Sequence, residues 1–492
     1  MKFQSTRDKN QTRFSASYII KQGLADDGGL FVPDSLPELS EGDIRAMCKD
    51  PYPVRAAKIL SMFLDDYTYT ELYEDCSGVY AAPSFDGGIA PVKEAKDGVY
   101  ALELWHGPTA AFKDMALQIM PRLLSRALVK NNEDRTALIL VATSGDTGKA
   151  ALEGYRDVDH IKIMVFYPVD GVSKVQKLQM ATQTGDNVNV LAIRGNFDDA
   201  QTGVKKLFSD HDVAKELNER GYFLSSANSI NWGRLAPQIV YYVSAYCDLV
   251  NEGKISVGDR INICVPTGNF GNIFAAYLAG RMGLPIGRLI CASNRNNILT
   301  DFLRTGTYDR NRAFHVTMSP SMDILISSNL ERLLYFTAGA DRTREYMDSL
   351  AKTGQYTVDE DVKAEIDRSF SGYFATEEET AATIRDYFAA GYLADPHTAV
   401  ALCAAEKYRR ETGDRTPLVV ASTASPYKFA ADVYRSLTGK DAPDALAALD
   451  LLASHTETEI PYPLRGIAER TVRFTGVSDP SHMKADVLGY AK

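Results

Sequence analysis

Lys113 is the residue whose surroundings most favour covalent chemistry. It follows the turn-forming pair Gly107-Pro108 and opens a stretch in which apolar residues such as Met115 and Leu117 recur at near-helical spacing. A lysine held where an apolar loop enters a helix is desolvated, and desolvation disfavours the ammonium form. The uncharged amine is the nucleophile that forms a Schiff base with a carbonyl compound. A single lysine is more often a solvated surface residue, so its partners must decide between the two interpretations.

A glycine-containing loop at residues 266–272 offers a site for a phosphate group. Gly268 and Gly271 let the backbone approach a ligand, and the N–H groups at the start of the following helix can bind an anion. The loop matches neither the dinucleotide-binding nor the ATP-binding glycine pattern. It is therefore either a phosphate site of another kind or a plain glycine-rich turn.

Two further polar loops follow predicted strands. Residues 143–148 combine small residues with a helix start, although Asp146 could simply cap that helix. Residues 422–426 include Thr423, a neutral hydroxyl that can face a ring nitrogen. A desolvated lysine, a phosphate loop and a neutral hydroxyl together are what is needed to bind pyridoxal phosphate through its aldehyde, its phosphate and its pyridine nitrogen.

The elements that must position these loops alternate between strand and helix. Residues 137–142, 161–167 and 188–193 are predicted strands separated by helical patterns, and a second set of strands covers 261–265, 289–292 and 418–421. Such alternation predicts an α/β fold with parallel sheets covered by helices. In such sheets, ligands bind where the carboxyl ends of the strands deliver their loops.

Composition restricts the class of protein. The 492 residues are 45% hydrophobic and 24% charged, typical of a globular protein with about two to four domains. The net charge of -10 argues against nucleic-acid and anionic-membrane partners, and no apolar run is long enough to span a membrane. The N-terminus has no apolar secretory core, and the six cysteines are scattered without metal-site spacing. We therefore expect a cytoplasmic protein with reduced thiols and no bound metal.

Several motifs resemble the threonine synthases, pyridoxal-phosphate enzymes of the tryptophan-synthase-β-like fold. The resemblance is to the longer form found in many bacteria and fungi. It is carried by His106-Gly107-Pro108-Thr109 with Ala111-Phe112-Lys113-Asp114, and by residues 22–30, 142–148, 225–234, 265–272, 319–325, 395–400 and 422–424.

The resemblance implies fold type II, with two three-layer α/β/α domains of mainly parallel sheets and a mixed N-terminal segment. The expected division is an N-terminal segment at 1–92, a large cofactor-binding domain at 93–135 and 216–455, a small domain at 136–215, and a C-terminal extension at 456–492. The implied reaction converts O-phospho-L-homoserine and water to L-threonine and phosphate by γ-elimination followed by β-addition of water.

Site residues are also implied by the resemblance. Lys113 becomes the Schiff-base lysine and proton shuttle, and Thr423 faces the pyridine nitrogen. The cofactor phosphate is assigned to Gly268, Asn269, Phe270, Gly271 and Asn272, the substrate carboxylate to Ser144, Gly145, Asp146 and Thr147, and the rest of the substrate side to Asn228, Ser229, Asn231 and Arg234. Arg234 is the expected contact for the substrate phosphate, with a structural salt bridge as the alternative. Ser425 and Lys174 depart from the family pattern, which often has His and Pro there.

Two other functions stay open at this point. One is a threonine or serine dehydratase-like lyase that uses the same cofactor but has no second phosphate site. The other is a non-catalytic pyridoxal-phosphate-binding protein, which retention of Lys113 within its full motif argues against. The expected partner is a small-molecule substrate, and the expected assembly is a monomer or a homodimer.

Overall fold

The computed structural model describes residues 1–85, 87–143, 145–169, 172–195 and 197–492, apart from the side chains of 197 and 198. The strands are β1 Phe3–Ser5, β2 Phe31–Pro33, β3 Val92–Lys96, β4 Val99–Glu103, β5 Thr136–Ala142, β6 Ile161–Pro168, β7 Val188–Ile193, β8 Tyr222–Ser225, β9 Ile261–Pro266, β10 Ile286–Ser293, β11 Thr307–Asp309, β12 Gln355–Thr357, β13 Phe370–Phe374, β14 Leu418–Ser422 and β15 Val477–Ser478.

Helices cover both faces of the sheets formed by these strands. They are α1 Ala16–Gln22, α2 Glu41–Met47, α3 Tyr52–Phe63, α4 Tyr69–Val79, α5 Lys113–Leu117, α6 Met120–Lys130, α7 Asp146–Tyr155, α8 Lys174–Ala181, α9 Phe197–Ser209, α10 His211–Glu219, α11 Trp232–Asn251, α12 Gly271–Met282, α13 Ile298–Thr305, α14 Leu330–Thr353, α15 Glu360–Ser369, α16 Glu377–Ala389, α17 Pro396–Thr412, α18 Ala430–Thr438, α19 Ala447–Thr456 and α20 Met483–Tyr490.

The larger sheet has the strand order β13-β10-β9-β14-β4-β3 and is parallel except for β3, which pairs antiparallel with β4. Every residue of β9 and β14 is buried, as expected for parallel strands covered on both faces. Ile263 and Val265 pack in the core cluster that includes residues of α11 and α12, whereas Cys264 packs in the cluster that includes residues of α17. This arrangement confirms the predicted α/β class.

The smaller sheet has the order β15-β7-β6-β5-β8, and all its pairings are parallel. Ile139 of β5 packs with Leu152 of α7 on one face. Leu138 of the same strand packs with Val213 of α10 and Val487 of α20 on the other face. The alternating side chains of one buried strand therefore serve two separate cores.

Two strand pairings cross the expected domain boundaries. Residues 216–455 are predicted to belong together, yet β8 pairs with β5 of the smaller sheet. Residues 456–492 are predicted to form a separate extension, yet β15 pairs with β7 and α20 packs in the smaller sheet's core. The two-residue strand β15 is too short to show any alternation of polar and apolar residues, so its pairing is not visible in the sequence.

Two features are absent from the described ranges. No helix in these ranges is long and apolar enough to cross a membrane. Nor do these ranges contain a group of three or more His, Cys, Asp or Glu side chains arranged to hold a metal ion.

Candidate active site

A cavity of about 990 Å³ lies where the carboxyl ends of strands from both sheets meet. Thr143 enters it after β5, Thr267 after β9 and Thr423 after β14. The predicted site residues that line it are Lys113, Thr147, Asn228, Ser229, Arg234, Gly268, Asn269, Phe270, Gly271, Asn272 and Thr423. Most of the residues that the sequence singles out are therefore brought together in one place.

Lys113 is held in this cavity by a loop that is fixed at both ends. The backbone N–H of Phe112 donates to the Thr423 carbonyl at 2.8 Å. The Thr109 N–H and hydroxyl donate to the Asp114 carboxylate at 2.8 Å and 2.6 Å. These contacts fix the loop against β14 and against the start of α5, so the lysine's backbone has little freedom.

The Lys113 amine is buried among few partners. Its Nζ donates to the Ser321 hydroxyl at 3.1 Å and lies 3.9 Å from Asp146 Oδ2. Burial lowers the pKa of the Lys113 amine to about 8, with Asp146 opposing that shift and Arg234 adding to it. At this pKa roughly a tenth of the amine is uncharged at pH 7, a far larger share than for a lysine with the usual pKa, and the uncharged form is the nucleophilic one.

The loop at residues 266–272 is shaped closely by its neighbours. A Cβ atom at Gly268 would lie 2.5 Å from the Ser321 carbonyl oxygen, so only glycine fits there. Ser327 Oγ donates to the Gly268 carbonyl at 2.7 Å, and Asn329 Nδ2 donates to the Asn269 carbonyl at 3.0 Å. With these carbonyls occupied, the loop can turn its backbone N–H groups and the start of α12 towards a ligand.

Asn272, in the first turn of α12, carries an unpaired donor. Its Oδ1 accepts a hydrogen bond from the Tyr242 hydroxyl, while its Nδ2 is buried without a partner among the described residues. Buried donors are normally paired, and an unpaired one costs free energy. The atom therefore suits an acceptor that joins the site, such as a phosphate oxygen.

Asp146 does not cap α7, although the sequence allowed that interpretation. The N-cap is Gly145, and Asp146 is the first residue of the helix. Its carboxylate instead pairs with Lys428 Nζ at 2.7 Å and accepts from Gln176 Nε2 at 2.9 Å. Burial alone would raise the pKa of this carboxyl, but Lys428 and Lys113 outweigh burial and hold the pKa below its usual range.

The predicted carboxylate-binding loop is brought to the cavity only in part. Thr147 lines the cavity, whereas neither Gly145 nor Asp146 is among the residues found to line it. Gly145 has a φ of 138°, and a Cβ atom there would lie 2.5 Å from the Gln176 side chain. Ser144 falls outside the described residues.

Asn231 is not brought to the cavity, in contrast to the sequence-based expectation. It is the N-cap of α11, and its Oδ1 accepts from the Gly233 N–H at 2.9 Å. Its Nδ2 donates to the Ile20 carbonyl at 2.8 Å. An asparagine whose side-chain oxygen and nitrogen are both engaged in this way supports the helix start rather than a ligand.

Arg234 lines the cavity with a buried guanidinium group. One terminal nitrogen donates to the Ala227 carbonyl at 2.7 Å, and no carboxylate of the described chain lies within 4.0 Å of the group. Burial lowers the pKa of Arg234 to about 10. The alternative of a structural salt bridge therefore has no partner in the described residues, and the cation suits an incoming anion.

Family models match most of the chain. The model described as "Pyridoxal-phosphate dependent enzyme" matches residues 88–423, "Threonine synthase N terminus" matches 2–80, and "Threonine synthase, C-terminal" matches 398–487. The threonine synthase of Pseudomonas aeruginosa is 40% identical over 429 residues, covering 86% of this chain and 87% of its own. The chain belongs to the threonine synthase family of pyridoxal-phosphate-dependent enzymes.

Solved structures and longer relatives agree with this family. The crystal structure of PLP-bound threonine synthase from Brucella melitensis has a TM-score of 0.88 at 36% identity and covers 100% of both chains. Human threonine synthase-like 1 is 39% identical over 477 residues, or 94% of this chain. The chain spans only 63% of the length of that relative.

The residues of the cavity fit pyridoxal phosphate, the cofactor of this family. Lys113 can meet the aldehyde, and the 266–272 loop with the unpaired Asn272 Nδ2 can meet the phosphate. Thr423 offers a neutral hydroxyl in the same cavity. The donor set therefore agrees with the three functional groups of the cofactor.

Sequence reasoning missed some residues of the site. Lys428 is buried against Asp146, and Ser321 contacts Lys113. The Ser321 N–H donates to His397 Nε2 at 3.2 Å, and His397 Nδ1 pairs with Asp395 at 2.8 Å. His106, in the loop that leads to Lys113, pairs with Glu103 at 2.8 Å. The one sequence signal for Lys428 is its place just after the loop that holds Thr423.

Proposed function

We propose that the chain is a threonine synthase that converts O-phospho-L-homoserine and water to L-threonine and phosphate, using pyridoxal phosphate. The observation that carries the proposal is a single cavity with a buried lysine and two separate groups suited to phosphate. One group is the loop 266–272, and the other is the guanidinium of Arg234. A dehydratase acting on threonine or serine needs only the first of these groups.

The cofactor supplies an aldehyde that a lysine amine can capture and a conjugated ring that accepts electrons from the substrate α-carbon. The chain's own residues would position it. The N–H groups of 268–272 would bind its phosphate, and the hydroxyl of Thr423 would face its ring nitrogen. Beside a neutral partner the ring nitrogen would stay unprotonated. An unprotonated ring withdraws fewer electrons than a protonated one, which helps to select the reaction.

Lys113 would move protons between substrate carbons. With a pKa of about 8, its amine can accept a proton and return it within one turnover near neutral pH. The Ser321 hydroxyl, 3.1 Å from Nζ, would hold the free amine close to the reacting atoms.

Substrate recognition is proposed for the part of the cavity lined by Thr147, Asn228, Ser229 and Arg234. The guanidinium of Arg234 can bind two phosphate oxygens at once, a geometry that an ammonium cannot reproduce. Thr147, near the start of α7, would contribute to binding the substrate carboxylate. The Asp146 side chain is taken by Lys428, so only its backbone would contribute.

The deciding experiment is a product assay on the purified, cofactor-saturated protein. With O-phospho-L-homoserine, phosphate and threonine should appear in equal amounts, and Lys113→Ala should form neither. Serine and threonine are then offered separately, and the release of a 2-oxo acid is measured. Release of a 2-oxo acid without threonine synthesis would favour the dehydratase. No turnover of any of the three substrates would favour a binding protein.

We also propose a location and an assembly for the chain. Every described cysteine is buried and free, which suits a reducing compartment and supports a cytoplasmic location. A monomer or a homodimer is proposed for the assembly, and sedimentation of the purified chain would distinguish the two.

A further inference from the structure

The buried pair of Asp146 and Lys428 joins the two sheets beside Lys113. Asp146 begins α7 after β5 of the smaller sheet, and Lys428 lies in the turn after β14 of the larger sheet. Their 2.7 Å contact is fully enclosed, with side-chain exposures of 3% for Asp146 and 0% for Lys428. An enclosed ion pair is a weak source of stability, because desolvation offsets the attraction. We therefore ask what the pair does to Lys113.

Lys428 also fixes the backbone that carries the reactive lysine. Besides Asp146, its Nζ donates to the Thr109 carbonyl at 3.0 Å. Thr109 in turn holds Asp114, the neighbour of Lys113, through two hydrogen bonds. Lys428 therefore contacts both the counter-charge of Lys113 and the loop that orients it.

Asp146 lies 3.9 Å from Lys113 Nζ and is within reach of both lysines. A lone carboxylate at that distance in a buried site would stabilise the Lys113 ammonium strongly. The shorter contact to Lys428 compensates most of that negative charge. Among the described residues, the other charged and titratable groups near this site include Asp114 on α5 with Lys149 on α7 near it, Arg234 on α11 with Tyr155 and Tyr241 beside it, and His397 on α17.

We propose that Lys428 is a positioning residue that, by pairing with Asp146, keeps the Lys113 amine available as a neutral nucleophile and base. The proposal rests on the cofactor chemistry of the proposed function. When Lys113 takes a proton from a substrate carbon, the C–H bond breaks, its electron pair stays on the substrate, and a third N–H bond forms on the amine. Asp146 then stabilises the new ammonium. Lys428 compensates part of the charge of Asp146, so the ammonium can give its proton up again.

The test measures the rate at which cofactor-free protein captures pyridoxal phosphate. The rate is monitored by visible absorbance from about pH 6 to about pH 10. Borohydride reduction and peptide mapping locate the adduct on Lys113. For the wild-type protein, the capture rate should rise with pH around the lysine's pKa, because only the neutral amine reacts.

Two single variants should move this profile in opposite directions. Lys428→Met removes a cation and frees Asp146, so the midpoint should shift to higher pH and capture at pH 7 should be roughly tenfold slower. Asp146→Asn leaves Lys428 beside Lys113 without its counter-charge, so the midpoint should shift to lower pH. The double variant Asp146→Asn/Lys428→Met removes both charges of the pair together, so its midpoint should lie between those of the two single variants.

Lys149→Met is the matched control. Like Lys428, Lys149 is a buried lysine that pairs with a carboxylate. It lies in α7, and its partner is Glu153 at 3.0 Å. Its loss should lower stability and leave the midpoint of capture unchanged. If either single variant fails to fold, the double variant and the other single variant still give a signed shift.

Three outcomes would overturn the inference: unchanged midpoints, midpoints that shift in the same direction, and wild-type protein that captures no cofactor. Opposite shifts support it, whether or not threonine is formed. Opposite shifts with no threonine from O-phospho-L-homoserine would remove the proposed function alone.

Discussion

The two sides of the cavity differ in charge. The neutral side, residues 266–272 with Ser327 and Asn329, contains no ionisable side chain and is built from amide, hydroxyl and backbone contacts. The charged side consists of Arg234, which lines the cavity, and of the enclosed pair Asp146 and Lys428 next to Lys113, and it carries three buried charges. Lys113 lies between the two sides.

This difference separates two tasks. Backbone N–H groups bind an anion with a strength that hardly changes between mildly acidic and mildly alkaline pH, because they do not titrate in that range. Charged groups, in contrast, set the protonation of a neighbouring lysine by their sign and distance. We infer that the neutral side would hold the cofactor steadily while the charged side governs the lysine and the substrate.

Placing a charge on the neutral side should have the largest effect. Gly271→Asp puts a carboxylate where N–H groups would meet the cofactor phosphate, and like charges in close contact cost several kcal/mol. Affinity for pyridoxal phosphate should fall by about a hundredfold or more, measured by titration of visible absorbance.

Gly271→Ala is the control for that substitution. Its Cβ atom would meet Asn329 Nδ2 at 3.3 Å, a close contact that a small movement of the side chain relieves. Affinity should fall only a few-fold. Equal, unchanged affinity in both variants would mean that the cofactor phosphate lies elsewhere.

Replacing Arg234 by a cation of a different shape should have an intermediate effect. Arg234→Lys retains a cation and loses the two-pronged contact with phosphate oxygens. KM for O-phospho-L-homoserine should rise by about tenfold while the visible absorbance of the loaded protein is preserved. Arg368→Lys, a substitution on the exposed surface of α15, serves as the control. Unchanged KM and kcat would assign a structural role to Arg234.

Removing the neutral contact of Lys113 should have the smallest effect. Ser321→Ala deletes the hydroxyl 3.1 Å from Nζ, and one neutral hydrogen bond contributes about 1 kcal/mol. Cofactor capture at fixed pH should slow by about fivefold with little change in its pH midpoint. Ser328→Ala, whose hydroxyl contacts Asn269 rather than Lys113, is the comparison. A midpoint shift as large as that expected for Lys428→Met would instead place Ser321 among the groups that set the lysine's charge.

Much of the site could be predicted because its signals are local. Lys113, the loop 266–272 and Thr423 each follow a strand and precede a helix or turn, and the structure brings all of them to one cavity. The α/β class follows from the same alternation. Where a function depends on a strand, a turn and a helix start that are adjacent in the chain, the sequence alone contains the necessary information.

The contacts that escaped prediction join distant parts of the chain. Asp146 and Lys428 are far apart in the chain and meet only because β5 and β14 deliver their loops to one cavity. The capping role of Asn231 is not visible in the sequence, because an asparagine that caps a helix and one that binds a ligand are alike there. The pairing of β15 with β7 involves only two residues on one partner, too few for any periodic signal.

That last strand limits how the two halves of the molecule can turn relative to each other. The chain enters the smaller sheet at β5 and leaves it from the adjacent strand β8, so these two connections lie near one edge. The third connection arrives at β15 on the opposite edge, about 19 Å away at ordinary strand spacing. Tethers at both edges oppose twisting and leave rotation about the line between them as the least restrained degree of freedom. Any opening of the cavity would then follow that rotation, with little twisting of one sheet against the other.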